Sequence, residues 1–220
     1  MEYAKSKETR DMIIRESYKL FVRDGYSAVT TRTIAEACGL QRANLHYYYN
    51  KKSSILLDIL TTINSELKIY FYTSFPVWEM RMAFVIYYLY MSFGASEETC
   101  ALQMLSWELF EDTDLMQEFI RSAPHFTRKG ELCFNELTEK DTAVLVFYGT
   151  LSQLAHLRMK GWTNMSMREV IDRSVRAFFL YLGESSDNID RMIEDLKEYD
   201  VSASVLKFIE HYEQKFGWDA

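Results

Sequence analysis

The sequence has little proline, glycine or cysteine. Its 220 residues include 2 Pro and 8 Gly, the residues that most often interrupt helices, against 48% apolar residues. We therefore expect a mostly helical chain of one or two domains with a substantial core. The 3 Cys are an odd number, stand far apart and form no CxxC pair. This argues against both a disulfide framework and a zinc site.

Long apolar runs and catalytic motifs are also absent. The longest apolar stretch, Ala143 to Leu157, falls short of the roughly 18 residues that a membrane-spanning helix needs. The charged N-terminus does not read as a signal peptide, so we expect a cytoplasmic protein without a membrane segment. No GxGxxG, P-loop, GxSxG or HExxH pattern occurs, and the 4 His are spread singly. We expect neither an enzyme nor a bound cofactor or metal.

The charges are distributed unevenly along the chain. Residues 1–52 hold 10 Lys/Arg and 6 Asp/Glu, a net charge of +4, whereas residues 53–220 hold 15 and 26, a net charge of −11. A basic segment on an acidic remainder is typical of a phosphate-facing unit, although chance clustering in a short window is the alternative. The 15 Tyr and 14 Phe indicate a large apolar interior, a partner surface or a cavity for an apolar ligand.

The stretch Thr30–Lys52 carries two short helical patterns separated by Gly39 and Leu40. Two helices joined by a short turn with Gly form either a helix-turn-helix motif or a helical hairpin of an ordinary bundle. Together with its flanks, the stretch predicts a disordered arm Met1–Lys7 and helices Glu8–Asp24, Thr31–Cys38, Gln41–Tyr49 and Ser53–Phe75.

A set of ordered motifs surrounds this stretch. They are Leu20-Phe21, Gly25-Tyr26, Thr30-Thr31-Arg32, Ile34-Ala35, Gly39-Leu40, Leu45, Tyr48-Tyr49 and Lys52. In this order and without a gap, they resemble the N-terminal DNA-binding domain of TetR-type transcriptional regulators. The resemblance implies an all-α fold. It places a helix-turn-helix domain at residues 8–66, with its motif at about 31–50, and a helical effector-binding and dimerisation domain at residues 67–220.

The docking mode of this motif indicates which residues contact DNA. The second helix lies in the major groove, where Arg42 suits guanine and Asn44 suits adenine or a phosphate. The predicted contacts are Thr31, Arg32, Gln41, Arg42, Ala43, Asn44, His46, Tyr47, Tyr48 and Lys52. The predicted core residues of this domain are Phe21, Ile34, Ala35, Leu40, Leu45 and Tyr49.

Four positions depart from the family's usual residues. Ala43 stands where a Gly or another small residue is usual, and Asn44 where Ser or Thr is usual. His46 replaces a Tyr, which leaves its role open between a DNA contact and a solvated flank. Tyr49 replaces a Phe, which adds a hydroxyl at a position expected to be buried.

The resemblance also implies an effector pocket within about residues 70–160, although Met and aromatic residues at helical spacing are more often plain core. The predicted lining is Trp78, Phe84, Tyr87, Tyr88, Met91, Met104, Trp107, Glu108, Phe110, Phe134 and Tyr148. Acidic groups beside aromatic rings would suit a cationic ligand.

Two later helices, about 141–160 and 167–182, would form the dimer bundle of the family. The predicted interface residues are Gly149, Ser152, Ala155, Ile171, Val175, Phe178 and Phe179, and the alternative for them is burial inside one subunit. The role of the helices after Gly183 is left open.

Taken together, the sequence predicts a sequence-specific DNA-binding regulator. We expect a repressor that binds a palindromic operator as a homodimer and is released by a small apolar or cationic effector. In a two-fold dimer the recognition helices would be about 34–36 Å apart, one turn of B-DNA. The alternative is an adaptor or architectural protein of the same fold that binds DNA and a protein partner but no small effector.

Overall fold

The computed structural model of the chain describes residues 2–74, 108–122, 137–195 and 201–217. These residues are predominantly α-helical and include no strand, which confirms the predicted all-α fold class. Residues 108–111 are helical. The other helices are α1 (Glu2–Asp24), α2 (Thr31–Ala37), α3 (Arg42–Tyr48), α4 (Lys52–Ser74), α5 (Thr113–Ser122), α6 (Glu139–Met159), α7 (Met167–Tyr181), α8 (Ser186–Asp195) and α9 (Val201–Phe216).

The first helix is longer than the sequence pattern predicted. α1 begins at Glu2 rather than at Glu8, so the prediction of a disordered arm is wrong for residues 2–7. The segment contains Ala, Lys and Glu, which favour helix, and no Gly or Pro that would stop it. At its other end α1 stops before Gly25, whose φ of +84° is readily adopted only by glycine.

The two short helices end where local hydrogen bonds cap them. The Thr30 hydroxyl accepts a bond of 3.1 Å from the Thr33 backbone N–H and so caps the start of α2. Gly39, at φ +63°, then turns the chain so that the Leu40 N–H reaches the Ala35 carbonyl at 2.8 Å. Both helices are slightly shorter than predicted, because the residues at their predicted ends are caps, namely Cys38, Gln41 and Tyr49.

We call the unit formed by α1–α4 the head. Its interior is assembled from one face of each helix, and α1 packs on both α2 and α4. Five of the six predicted core residues are buried, while Leu40 is half-buried at the turn. They pack with Ile13, Leu20, Ile55, Leu56 and Ile59. The apolar contribution of α4 is therefore what closes the three-helix core.

Helices α6 and α7 form a hairpin in the second half of the chain. Each begins with a capping box, in which a hydroxyl and a carboxylate satisfy each other's backbone N–H groups. Thr138 pairs with Asp141 at the start of α6, and Ser166 pairs with Glu169 at the start of α7. The connection of residues 160–166 is short, which makes the two helices antiparallel neighbours, and they pack along their lengths.

The last two helices pack on different parts of the molecule. α8 lies against α7, where Arg176 forms an ion pair with Asp190. α9 lies against α4 and, through Tyr212, against α1. Among the described residues, no helix combines the length and the apolar character needed to cross a membrane.

Candidate nucleic-acid interface

Helix α3 and its N-cap form an exposed, largely polar surface on the head. On the opposite side of the helix Leu45 is fully buried, and this single anchor fixes which face points outward. The exposed residues of this surface are Gln41, Arg42, Ala43, Asn44, His46 and Tyr47. The structure therefore brings six of the ten predicted DNA contacts onto one continuous stretch of helix.

The start of α3 is open to an incoming acceptor. Gln41 is the N-cap, in extended conformation with φ −71° and ψ 147°, but its side chain makes no capping hydrogen bond. The first turn of α3 contains no acidic residue. The free N–H groups at this end of a helix carry partial positive charge, and Arg42 adds a full one. This combination favours an anionic partner such as a nucleic-acid backbone.

On α2, the predicted contacts Thr31 and Arg32 also reach the surface, although Thr31 is half-buried. Arg32 donates to Glu36 at 2.8 Å, one helical turn away, and the two side chains are 80% and 63% exposed. An ion pair this exposed contributes little to stability. The guanidinium can therefore exchange Glu36 for a phosphate at small cost.

The tyrosine pair at the end of α3 is divided between surface and core. The ring of Tyr47 is 83% exposed, whereas Tyr48 is half-buried and packs against the apolar core. The two rings meet edge to face with their centroids 5.2 Å apart. Tyr48 thus supports the exposed ring of Tyr47.

A partly buried hydrogen-bond network holds the C-terminal end of α3. Tyr49 caps the helix and its hydroxyl donates to Asp58 of α4 at 2.7 Å. Arg10 of α1 donates to the same hydroxyl at 3.1 Å and to Asp58 at 2.6 Å. Burial, with the neighbouring Asp58 carboxylate, raises the pKa of Tyr49 and keeps its hydroxyl protonated. Three helices therefore meet at the residue that ends α3.

Sequence reasoning missed Arg10 and Asp58, because they are 48 residues apart and match no motif. The departure of Tyr49 from the usual Phe was the one signal that a polar partner lies there.

Lys52 has a contact that differs from the one predicted for it. Its ammonium donates to the carbonyls of Tyr26 at 2.6 Å and Val29 at 2.9 Å, and it lies 4.0 Å from the centroid of the Tyr26 ring. These bonds fix the turn between α1 and α2. Burial lowers the pKa of Lys52, and an ammonium has three N–H donors, of which two are used here. The phosphate contact predicted for Lys52 stays a prediction, and it would have to use the third N–H donor of the ammonium.

The sequence of residues 13–59 matches the model of a family described as bacterial regulatory proteins, tetR family. The match spans the second half of α1, all of α2 and α3, and the start of α4. This part of the chain is similar to the N-terminal domain of tetR-family regulators.

The HTH-type transcriptional regulator QacR of Staphylococcus aureus is 32% identical over 57 residues, which are 26% of this chain and 30% of that protein. The chain thus matches less than a third of the length of this relative.

Among solved structures, the flavonoid-responsive regulator FrrA has 21% identity and a TM-score of 0.41, covering 80% of this chain and 96% of FrrA. NalD of Pseudomonas aeruginosa, the secondary repressor of the MexAB-OprM multidrug efflux pump, has 16% identity and a TM-score of 0.37, covering 94% of each chain.

Two turns of the head also contact the rest of the chain. Ser27, between α1 and α2, donates to Glu108 at 3.1 Å, and Lys51, between α3 and α4, lies 3.6 Å from the Glu118 carboxylate on α5. Burial, with the charge of Glu108, raises the pKa of Tyr26 to about 12. Glu108 was predicted to line an effector pocket, but here it accepts a hydrogen bond from the head.

Most of the other predicted pocket residues lie outside the described part of the chain. Phe110 and Tyr148 are described and buried, and Tyr148 packs edge to face on Phe119 and Phe147 with centroids 6.2 and 5.2 Å apart. These contacts are those of a packed core. The predicted residues outside the described ranges are Trp78, Phe84, Tyr87, Tyr88, Met91, Met104, Trp107 and Phe134.

The predicted dimer residues divide into two groups. Gly149 is exposed and Ser152 half-buried on the outer face of α6. The remaining five are at most 7% exposed within one subunit. These five are buried inside one subunit, and their place in a subunit interface stays a prediction. They are Ala155, Ile171, Val175, Phe178 and Phe179.

Proposed function

We propose that this protein binds a palindromic DNA operator as a homodimer, inserts α3 into the major groove and acts as a repressor. TetR-family regulators are generally DNA-binding transcriptional repressors, which supports the coarse part of the proposal. The observation that carries the finer part is the exposed N-terminal half of α3. Its polar side chains point away from the buried Leu45, and no acid lies in its first turn.

The charges around α3 also support its exposed surface as the DNA-binding face. Between Gly25 and Leu57 the sequence contains four Lys/Arg and one acid, Glu36, which Arg32 already neutralises. The remainder of the chain is strongly acidic and would repel a polyanion. DNA affinity must therefore come from the head, and a single small head gains enough affinity only when a second copy binds beside it.

A homodimer would present two heads to two half-sites. The outer face of α6 offers a surface for it, because the partly or fully exposed Thr142, Gly149, Gln153 and His156 recur at helical spacing along one stripe. We propose that this stripe, rather than the buried residues of the predicted set, meets the partner. We also propose a division into a DNA-binding domain at residues 8–66 and an effector-binding and dimerisation domain at residues 67–220. In this scheme a small apolar or cationic effector lowers DNA affinity by binding better to the state with the wrong half-site spacing.

Selection of bound duplexes from a random pool tests the function. We expect enrichment of a palindrome whose half-sites are about one helical turn apart. If no palindrome is enriched at moderate salt, the proposed function is wrong. Release assays on the selected duplex with apolar and cationic compounds then test the effector. If no compound releases DNA but a protein partner is retained on it, the protein is an adaptor rather than an effector-responsive repressor.

A further inference from the structure

The last helix of the chain packs on the head, although it lies farthest from it in sequence. α9 contributes two fully buried side chains, Phe208 and Tyr212, and it contacts both α1 and α4. We propose that α9 is a fifth helix of the head, which stabilises α1 against α4 and thereby supports DNA binding. The second half of this inference rests on the DNA-binding function proposed above.

Two buried tyrosines form the centre of the contact with α1. The hydroxyls of Tyr18 and Tyr212 are 2.7 Å apart, and the Tyr18 hydroxyl also donates to Glu213 at 2.7 Å. Because Tyr18 has a single hydroxyl proton, Tyr212 must be the donor in the bond between the two. The rings are 1% and 0% exposed and meet edge to face at 6.2 Å. Removal of α9 would expose the Tyr18 ring and leave its hydroxyl without these two partners.

An ion pair forms the contact with α4. Lys215 donates to Glu66 at 2.7 Å, and the Glu66 side chain is only 11% exposed whereas that of Lys215 is 45% exposed. A carboxylate this buried is costly unless a cation or a donor accompanies it. α9 supplies that cation from a position 149 residues away. Where α9 ends, Gly217 comes close to the Arg15 side chain of α1.

These contacts join the two long helices of the head without covering its reading surface. Phe21 on α1 faces the interior of the head, while Tyr18 on the same helix faces α9. With α9 in place, Arg42, Asn44 and Tyr47 remain exposed. α9 therefore acts as a support and not as a competitor of DNA. Any sliding of α1 past α4 must break the tyrosine pair, the Lys215–Glu66 ion pair or both.

Hydrogen–deuterium exchange of the full-length chain tests the support. Tyr212→Phe removes one buried hydroxyl, and we expect peptides from residues 13–24 of α1 to exchange about fivefold faster. Phe208→Ala removes a fully buried ring, for which we expect acceleration of about tenfold or more. Glu210→Gln, at an exposed position of the same helix, is the matched control and should change nothing. Peptides of α6 and α7 should keep their protection in all variants.

A chain that ends after Asp200 provides a second test. If it exchanges at α1 and α4 as the full chain does, or if Phe208→Ala loosens α9 alone, α9 is not part of the head and the proposal fails. Affinity for the selected duplex tests the link to DNA, and we expect about tenfold weaker binding by Phe208→Ala. Unchanged affinity despite faster α1 exchange would overturn that link. If the full chain binds no duplex, the DNA-binding function fails, while the exchange data still decide whether α9 supports the head.

Discussion

The hydroxyl of Tyr49 donates a hydrogen bond of 2.7 Å to the carboxylate of Asp58. Tyr49 ends the exposed helix α3, and Asp58 lies on the long helix α4, where Arg10 of α1 completes the group. The orientation of α3 is therefore held by polar bonds at its C-terminal end and by the buried Leu45 in its middle. The side chains at the N-terminal end of α3 are therefore exposed and take no part in these contacts.

Tyr49→Phe removes this hydroxyl while keeping the ring. We expect the free energy of unfolding to fall by about 0.5–1.5 kcal/mol, the usual net value of one intramolecular hydrogen bond. Urea unfolding followed by circular dichroism measures it. Tyr47→Phe, at an 83% exposed position, is the control and should leave the unfolding midpoint unchanged. Equal midpoints for both variants would contradict a stabilising role of the Tyr49–Asp58 bond.

Lys52→Met keeps the aliphatic stem but removes the ammonium that binds the carbonyls of Tyr26 and Val29. Hydrogen bonds to charged groups contribute about 1.5–3 kcal/mol each, so we expect a loss of about 2 kcal/mol, reduced from the sum because the site is partly solvated. Thermal unfolding measures this loss. Lys51→Met removes a surface ion pair with Glu118 and should cost less than about 1 kcal/mol. The reverse order of the two effects would refute the structural assignment of Lys52.

Arg42→Ala tests base readout by α3. If Arg42 reads guanine, its loss costs about 1–3 kcal/mol on the selected duplex and little on a scrambled one. Fluorescence anisotropy at two salt concentrations measures both affinities. Arg168→Ala, at an exposed position of α7, is the matched control. Equal weakening on both duplexes would make Arg42 a phosphate contact instead.

The thiol of Cys38 should be poorly reactive in the folded protein. Burial, with the charge of Glu16, raises its pKa to about 11. At about pH 8 this leaves roughly a hundredth of the thiolate of an unperturbed thiol, so alkylation by iodoacetamide should be slower by about two orders of magnitude than in urea. Mass spectrometry of the peptide that carries Cys38 measures the rate.

The same shift has a consequence for stability, since the folded state holds this proton more tightly than the unfolded chain. The contribution of Cys38 is complete below the unfolded pKa and declines as pH rises from about 9 to about 11. The difference in unfolding free energy between wild type and Cys38→Ala should follow that decline. A difference independent of pH across this window would contradict the raised pKa.

Gly149→Leu tests the proposed partner surface on α6. A Cβ at this position would meet nothing within 4 Å inside the subunit. Leu also favours the helix over Gly by about 0.8 kcal/mol. We therefore expect an undiminished unfolding midpoint but weaker dimerisation in analytical ultracentrifugation. Gln117→Leu, on the exposed face of α5, is the control and should leave dimerisation intact. A Gly149→Leu protein that dimerises like wild type would exclude this stripe.

Much of the head could be predicted from the sequence because its signals are local. The hydroxyl of Thr30 lies three residues from the N–H that it caps, and the left-handed glycines Gly25 and Gly39 mark the turns. The exposed face of α3 follows from the placement of Leu45 within one helix. The dimer interface could not be read from such local signals for a related reason. Apolar spacing on α7 shows that Val175 and Phe179 are buried, but not whether they face α6 or a second subunit.

The sequence by itself determined the helices, their caps, the helix-turn-helix and the basic character of the head, because each depends on residues within a few positions of one another. The tertiary structure alone decided what those helices meet. Tyr18 and Tyr212 are 194 residues apart, and Lys215 and Glu66 are 149 apart. No periodicity or spacing encodes such pairs, since they exist only when α9 folds back onto α1 and α4. The assignment of the last helix to the head could therefore come only from the folded chain.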